Sequence, residues 1–212
     1  MQAIIDFFTN LDPFLKEFID AHGAWVYGLL FLIVFCETGL VVTPFLPGDS
    51  LLFACGALAA RGLMDVRLLA VLLVSAAILG NTSNYSIGDR FGHWIAKRRW
   101  LRADYLAKAH AFFERYGSKA VVIAQFAPIV RTFVPFVAGM SEMTYRRFIT
   151  FNILGALVWV NSFLFAGYWV GNQDVVKRNM HYAIGAIIVV SLLPIAWGFI
   201  KARRDAAKAV GS

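Results

Sequence analysis

"CETGLVVTPFLPGDSLL", from Cys36 to Leu52, is the stretch that decides how this chain folds. It sets two carboxylates, Glu37 and Asp49, and two prolines, Pro44 and Pro47, inside a run that is otherwise apolar. Proline has no N–H to donate and glycine is conformationally permissive, so Pro44, Pro47 and Gly48 predict a broken helix. Backbone freed by such a break survives at membrane depth only where protein buries it or a wet cavity meets it. The stretch therefore predicts a helix that enters a bilayer, turns, and leaves on the side from which it came.

The surroundings agree. The 212 residues are 59% hydrophobic and 16% charged, far from the balance of a soluble globular domain, and mark an integral membrane protein. Apolar runs over 68–88, 148–173 and 180–200 are each long enough to cross a hydrocarbon core, which needs roughly 20 helical residues. The N-terminus has no basic head and no small-residue cleavage site, so no removable signal peptide is expected. Over 1–22, Ile4, Phe8, Leu11, Leu15, Phe18 and Ile19 share one helical face, as in an interfacial amphipathic helix. Cys36 and Cys55 have neither redox nor metal-ligand spacing, and His22, His93, His110 and His181 form no ligand pair, so no metal and no cofactor is expected.

Net charge is +7, and its placement points to lipid rather than nucleic acid. Basic residues crowd 89–119 and recur at Lys201, Arg203, Arg204 and Lys208 in the tail, 201–212; by the positive-inside rule both segments face the cytoplasm. With the tail inside, 180–200 and 148–173 cross in turn, and 120–141 must return to its own side. The same tracing makes 24–60 a second re-entrant segment. Ala24 to Cys36 reaches only about 20 Å as a helix, short of a core near 30 Å. The expected fold is an all-α polytopic membrane protein in one membrane domain. Two oppositely oriented re-entrant helical hairpins, 24–60 and 120–141, join transmembrane helices 68–88, 148–173 and 180–200 in an inverted-repeat arrangement.

The second hairpin carries its own interruption, "APIVRTFVPFVAG", with Arg131 between Pro128 and Pro135. Each charge at the bilayer centre costs on the order of 3 kcal/mol, so Glu37, Asp49 and Arg131 need both partners and a reason. One arginine neutralises one carboxylate, and a carboxylate short of solvent picks up and releases protons more readily. Glu37 and Asp49 are thus expected to carry a coupling proton, and Arg131 to hold an anionic group through its planar fork of donors. A purely structural ion pair between one acid and Arg131 is the equal alternative. In "GNTSNYSIGDRFG", Asn81 is a further site candidate, while its polar neighbours suit helix–helix hydrogen bonding; Gly155, Gly167 and Gly171 suit close helix packing.

These residues resemble the DedA family, the bacterial branch of the SNARE-associated or VTT-domain membrane proteins. The resemblance covers nearly the whole chain through "FCETGLVVTPFLPGDSLLF" (35–53), "NYSIGDRFG" (84–92), "FAPIVRTFVPFVAGM" (126–140) and "NILGALVW" (152–159). It implies a bacterial inner-membrane protein with two opposed re-entrant loops, linked to the proton motive force, that moves undecaprenyl phosphate or phospholipid between leaflets. The family's essential acids fall on Glu37 and Asp49, and one of its two essential arginines on Arg131. At the other arginine this chain has Gln125, and where relatives carry an acid it has Asn81. A neutral Asn81–Gln125 amide pair replacing a charged one is one expectation, and a lost phosphate ligand the other. The expected function is a non-enzymatic, proton-coupled flippase whose partners are membrane lipids, an anionic lipid phosphate and protons. A proton-coupled antiporter of small cations or drugs and a non-transporting membrane scaffold remain as alternatives.

Overall fold

The computed structural model describes residues 11–40, 48–97, 103–141 and 143–173, and every regular element among them is helical. The elements are α1 (Leu11–Gly39), α2 (Gly48–Ala60), α3 (Val66–Lys97), α4 (Ala103–Tyr116), α5 (Ala120–Ile123), α6 (Pro128–Met140) and α7 (Tyr145–Gly171); short 3-10 turns flank α5. Pro44, Pro47, the expected span 180–200, the tail and residues 1–10 lie outside the described residues.

Among the described residues, three helical segments are long and apolar enough to cross a membrane: Ala21–Gly39, Val66–Gly92 and Tyr145–Gly171. The last two bear out the expected spans at 68–88 and 148–173. The first corrects an expectation. The arm expected to reach only from Ala24 to Cys36 belongs to a 19-residue apolar segment, about 28 Å long at 1.5 Å per residue. The helix does not stop at the acid because Arg131 neutralises Glu37 and the Thr38 hydroxyl donates back to the Val34 carbonyl at 2.9 Å. Within α1, His22 leaves helical geometry (φ −126°, ψ 20°) and kinks the helix. A second correction concerns Pro135, expected as a break, which lies inside a continuous α6. A third is that α3 runs to Lys97, past the expected end at Gly88.

Turns between helices use local chemistry. α2 ends where the Gly62 N–H bonds the Ala59 carbonyl (3.0 Å) and the Leu63 N–H bonds the Leu58 carbonyl (3.3 Å), with Gly62 at φ +74°. That is the Schellman stop, which favours glycine because an added Cβ strains the left-handed backbone. Ala127 is extended (φ −115°, ψ 100°), and Pro128 follows as the first residue of α6, where its missing N–H costs nothing.

By contacts the chain divides into two units: Met1–Val26, Phe45–Val66 and Phe163–Ser212 in the first, Tyr27–Pro44 and Arg67–Ser162 in the second. In the first, α2 meets the end of α7 backbone to backbone. A Cβ added at Gly56 would collide with the Leu164 carbonyl, one at Gly167 with the Phe53 carbonyl, and one at Gly171 with Ala57. In the second, α6 meets α3 in the same way: Gly139 against the Tyr85 carbonyl, Gly88 against the Phe136 carbonyl, and Gly92 against Met140. Residue for residue, "FACGA" (53–57) on "LFAGYWVG" (164–171) repeats as "FVAGM" (136–140) on "YSIGDRFG" (85–92). The second unit also holds an aromatic and aliphatic core that includes Tyr85, Val121, Val134, Phe136 and Phe148, with Tyr85 and Phe148 stacked at 4.3 Å. On α4, Leu106, Ala109, Phe112 and Phe113 turn toward that core at helical spacing.

Gly88→Ala and Gly139→Ala should each lower thermal stability in detergent, by about 1–3 kcal/mol for overpacking. Gly28→Ala, whose Cβ meets nothing within 4 Å, should be neutral or stabilising.

Candidate functional site

Eight polar side chains are buried among the described residues, and all eight belong to the second unit: Glu37, Thr38, Asn81, Asn84, Gln125, Arg131, Thr132 and Asn152. Their centre is an ion pair. Glu37, in the last turn of α1, and Arg131, in the first turns of α6, are joined through Oε1 and Nη2. Their side chains are 1% and 6% exposed. The guanidinium carbon also lies 4.9 Å from the ring centroid of Trp159, itself fully buried on α7. A desolvated cation on an indole face is stabilised by about 2 kcal/mol. Arg131 is thus held on two sides, by a carboxylate and by an aromatic face.

Helix ends bring the two charges together, and helix ends leave carbonyls without intrahelical donors. Asn84 on α3 answers this for α1 and also reaches the backbone of α6. Its Nδ2 donates to the Thr38 carbonyl at 3.1 Å and to the Thr132 carbonyl at 2.7 Å, the residues directly after Glu37 and Arg131. The second of these bonds falls in the turn disturbed by Pro135, whose absent N–H cannot reach the Arg131 carbonyl. Gly80, closely packed against Thr38 and Phe35, lets α3 approach α1 near enough for the contact.

A stripe on α7, Asn152–Gly155–Trp159, runs beside the pair at spacings of three and four residues, rises of about 4.5 and 6 Å. Asn152 accepts from Asn81 Nδ2 at 2.9 Å and donates to the Ile78 carbonyl at 3.0 Å. Gly155 leaves room for the Gln125 side chain, whose Oε1 is buried without a hydrogen-bond partner, as is Asn84 Oδ1. The expected Asn81–Gln125 amide pair is therefore corrected: Asn81 finds Asn152, because α3 and α7 meet at that level while Gln125 packs on Gly155, about one turn further along α7. Asp49 sits half-buried in the first turn of α2, in the first unit, where a helix N-terminus favours a carboxylate. Among the described residues, no group of three or more His, Cys, Asp or Glu could hold a metal ion.

Sequence reasoning missed Trp159 and Asn152 as members of this core and assigned Asn84 only general helix contact. The available signal for Asn152 was an amide inside an apolar span, which seldom lacks a partner; for Trp159 there was none, since an aromatic in such a run is ordinary.

Long apolar helices around a buried ion pair and its amides define a membrane-embedded protein with a polar core. The VTT domain matches residues 46–169, and the chain belongs to that family, as the resemblance anticipated. It is 49% identical over 211 residues to Protein DedA of Escherichia coli (strain K12), covering 97% of this chain and 96% of that one. It is also 37% identical to an uncharacterized membrane protein of Mycobacterium leprae (97% and 96% covered) and 34% identical to the inner membrane protein YqjA of Escherichia coli (82% and 80% covered). No solved structure matches the chain.

Arg131→Met should destabilise the protein by about 3–5 kcal/mol, because it strands a buried carboxylate, and adding Glu37→Gln should recover most of that loss. Unfolding of the single and double variants in detergent measures both.

Proposed function

We propose that this protein moves an anionic lipid phosphate, such as undecaprenyl phosphate or a phospholipid, across the bacterial inner membrane with proton coupling. The observation that carries the reading is the buried Glu37–Arg131 pair, stacked on Trp159. An arginine that stays protonated is an anion receptor, and here it holds an internal anion. A substrate phosphate and the Glu37 carboxylate compete for one guanidinium. Protonation of Glu37 removes the competitor and lets the phosphate take Arg131; loss of the proton restores the pair and expels the phosphate. Asp49 serves as a second proton site, and Gln125 and Asn81 as weaker neighbours of the headgroup. The lipid tail stays in the bilayer, so only the polar head needs the polar core.

The proposed path has two re-entrant hairpins of opposite orientation and a cytoplasmic C-terminus. Support for an inverted repeat comes from the glycine–carbonyl packing that recurs between α2 and α7 and between α6 and α3. Location in the inner membrane is supported by relatives named as membrane proteins. In this reading the protein acts as a carrier rather than an enzyme. One observation favours the scaffold reading: the pair joins opposite charges in a buried core, as a purely structural lock would.

Purified protein in proteoliposomes should carry labelled polyprenyl phosphate between leaflets, faster with an imposed proton gradient. Glu37→Gln should abolish this while the protein still elutes as a folded species. A cation-driven change of internal pH without lipid movement would support the antiporter, and no movement of either the scaffold.

Gln125→Arg, alone and with Asn81→Asp, probes the remaining amides in the same assay. A second guanidinium near the headgroup should tighten lipid-phosphate binding, seen as a lower apparent KM.

A further inference from the structure

We propose that Asn84 is a positioning residue: its carboxamide fixes the distance between the backbones that carry Glu37 and Arg131, so that the pair opens by side-chain movement while the helices stay in place. The inference rests on the carrier reading above and adds to it the part that keeps the site's size constant.

The argument starts from what holds α1 and α6 together at this level. If the ion pair alone did so, each protonation of Glu37 would release the helices, and the site would change shape whenever it changed charge. Asn84 supplies an uncharged tie. One carboxamide has two N–H donors, and both are committed, at 3.1 Å to Thr38 and 2.7 Å to Thr132. The two carbonyls follow Glu37 and Arg131 in the chain, so the tie acts on the peptide units next to the charges. Asn84 is fully buried, which removes water as a competitor for its donors. Backbone carbonyls do not titrate, so the tie persists in either charge state of Glu37. Only an amide offers two donors on one nitrogen at this reach. Aspartate is nearly isosteric but has no donor when ionised and one when protonated, and leucine has none.

The test separates the tie from transport. In a Cys36→Ala, Cys55→Ala background, spin labels at Leu40→Cys and Phe126→Cys, both exposed positions, report the separation of the α1 end from the entrance to α6. Glu37→Gln should leave the distance distribution as narrow as in the parent, whereas Asn84→Leu should broaden it. Asn84→Asp, the variant closer in shape, should broaden it as well, at pH 5 and at pH 8, since neither charge state of aspartate offers two donors. Lipid-phosphate movement by Asn84→Leu should fall on the order of a hundredfold, the scale of a 1 Å misplacement of binding groups, with a raised apparent KM. An unchanged distribution in both Asn84 variants, or broadening in Glu37→Gln equal to theirs, would overturn the proposal. If the parent moves no lipid phosphate, the carrier reading fails, and the distances still decide the role of Asn84.

Discussion

A guanidinium and a carboxylate held together away from water set the terms for the second unit of this protein. Neither charge is tolerable alone at that depth, and breaking a buried pair costs more than never having made it. Each helix must therefore deliver its charge to the same point. α1 continues far enough to present Glu37, and α6 begins at Pro128 so that Arg131 falls one turn in. Trp159 closes the remaining face of the guanidinium with an indole ring. The polar residues around the pair then serve one requirement, that every helix terminus reaching into apolar surroundings find donors and acceptors within the protein.

Close approach of the helices is what makes those short side-chain bonds reachable. In lipid there is no hydrophobic drive to push helices together, so contact area and backbone proximity carry the association. Glycines at 88 and 139 in one unit, and at 56 and 167 in the other, bring carbonyl oxygens against α-carbons. The same spacing of aromatic or apolar residue, two intervening positions and glycine appears on both sides of each contact. Asparagine is short, and its reach from α3 to two other helices depends on such thin interfaces. Gly80 does this for Asn84 by admitting Thr38 and Phe35.

Much of this was legible in the sequence, for reasons that differ by feature. The spans at 68–88 and 148–173 are visible because an apolar run needs no particular neighbour to be apolar. That Arg131 pairs with one of the two acids is visible because buried opposite charges have few other solutions; that the acid is Glu37 depends on where α1 and α6 meet. The arm after His22 was misjudged in length, since an acid in a helix reads as an end until its partner is known. Pro135 was misjudged because a proline in an apolar run reads as a break, whereas here it falls inside a continuous helix. Asn81 was matched to Gln125 when its partner is Asn152, because which amides meet depends on the register of α3 against α7. No spacing within either helix encodes that register.

A guanidinium is not deprotonated in proteins, so in such a pair the carboxylate is the group able to change state. The pair is electrically neutral with the carboxylate ionised and carries one positive charge with it protonated. In the proposed carrier cycle the centre alternates between those values, and a charge inside a bilayer feels the transmembrane voltage by about 2.3 kcal/mol per 100 mV for a full crossing. On that proposal, polarisation of the membrane biases which ligand the guanidinium holds, even at constant pH on both sides.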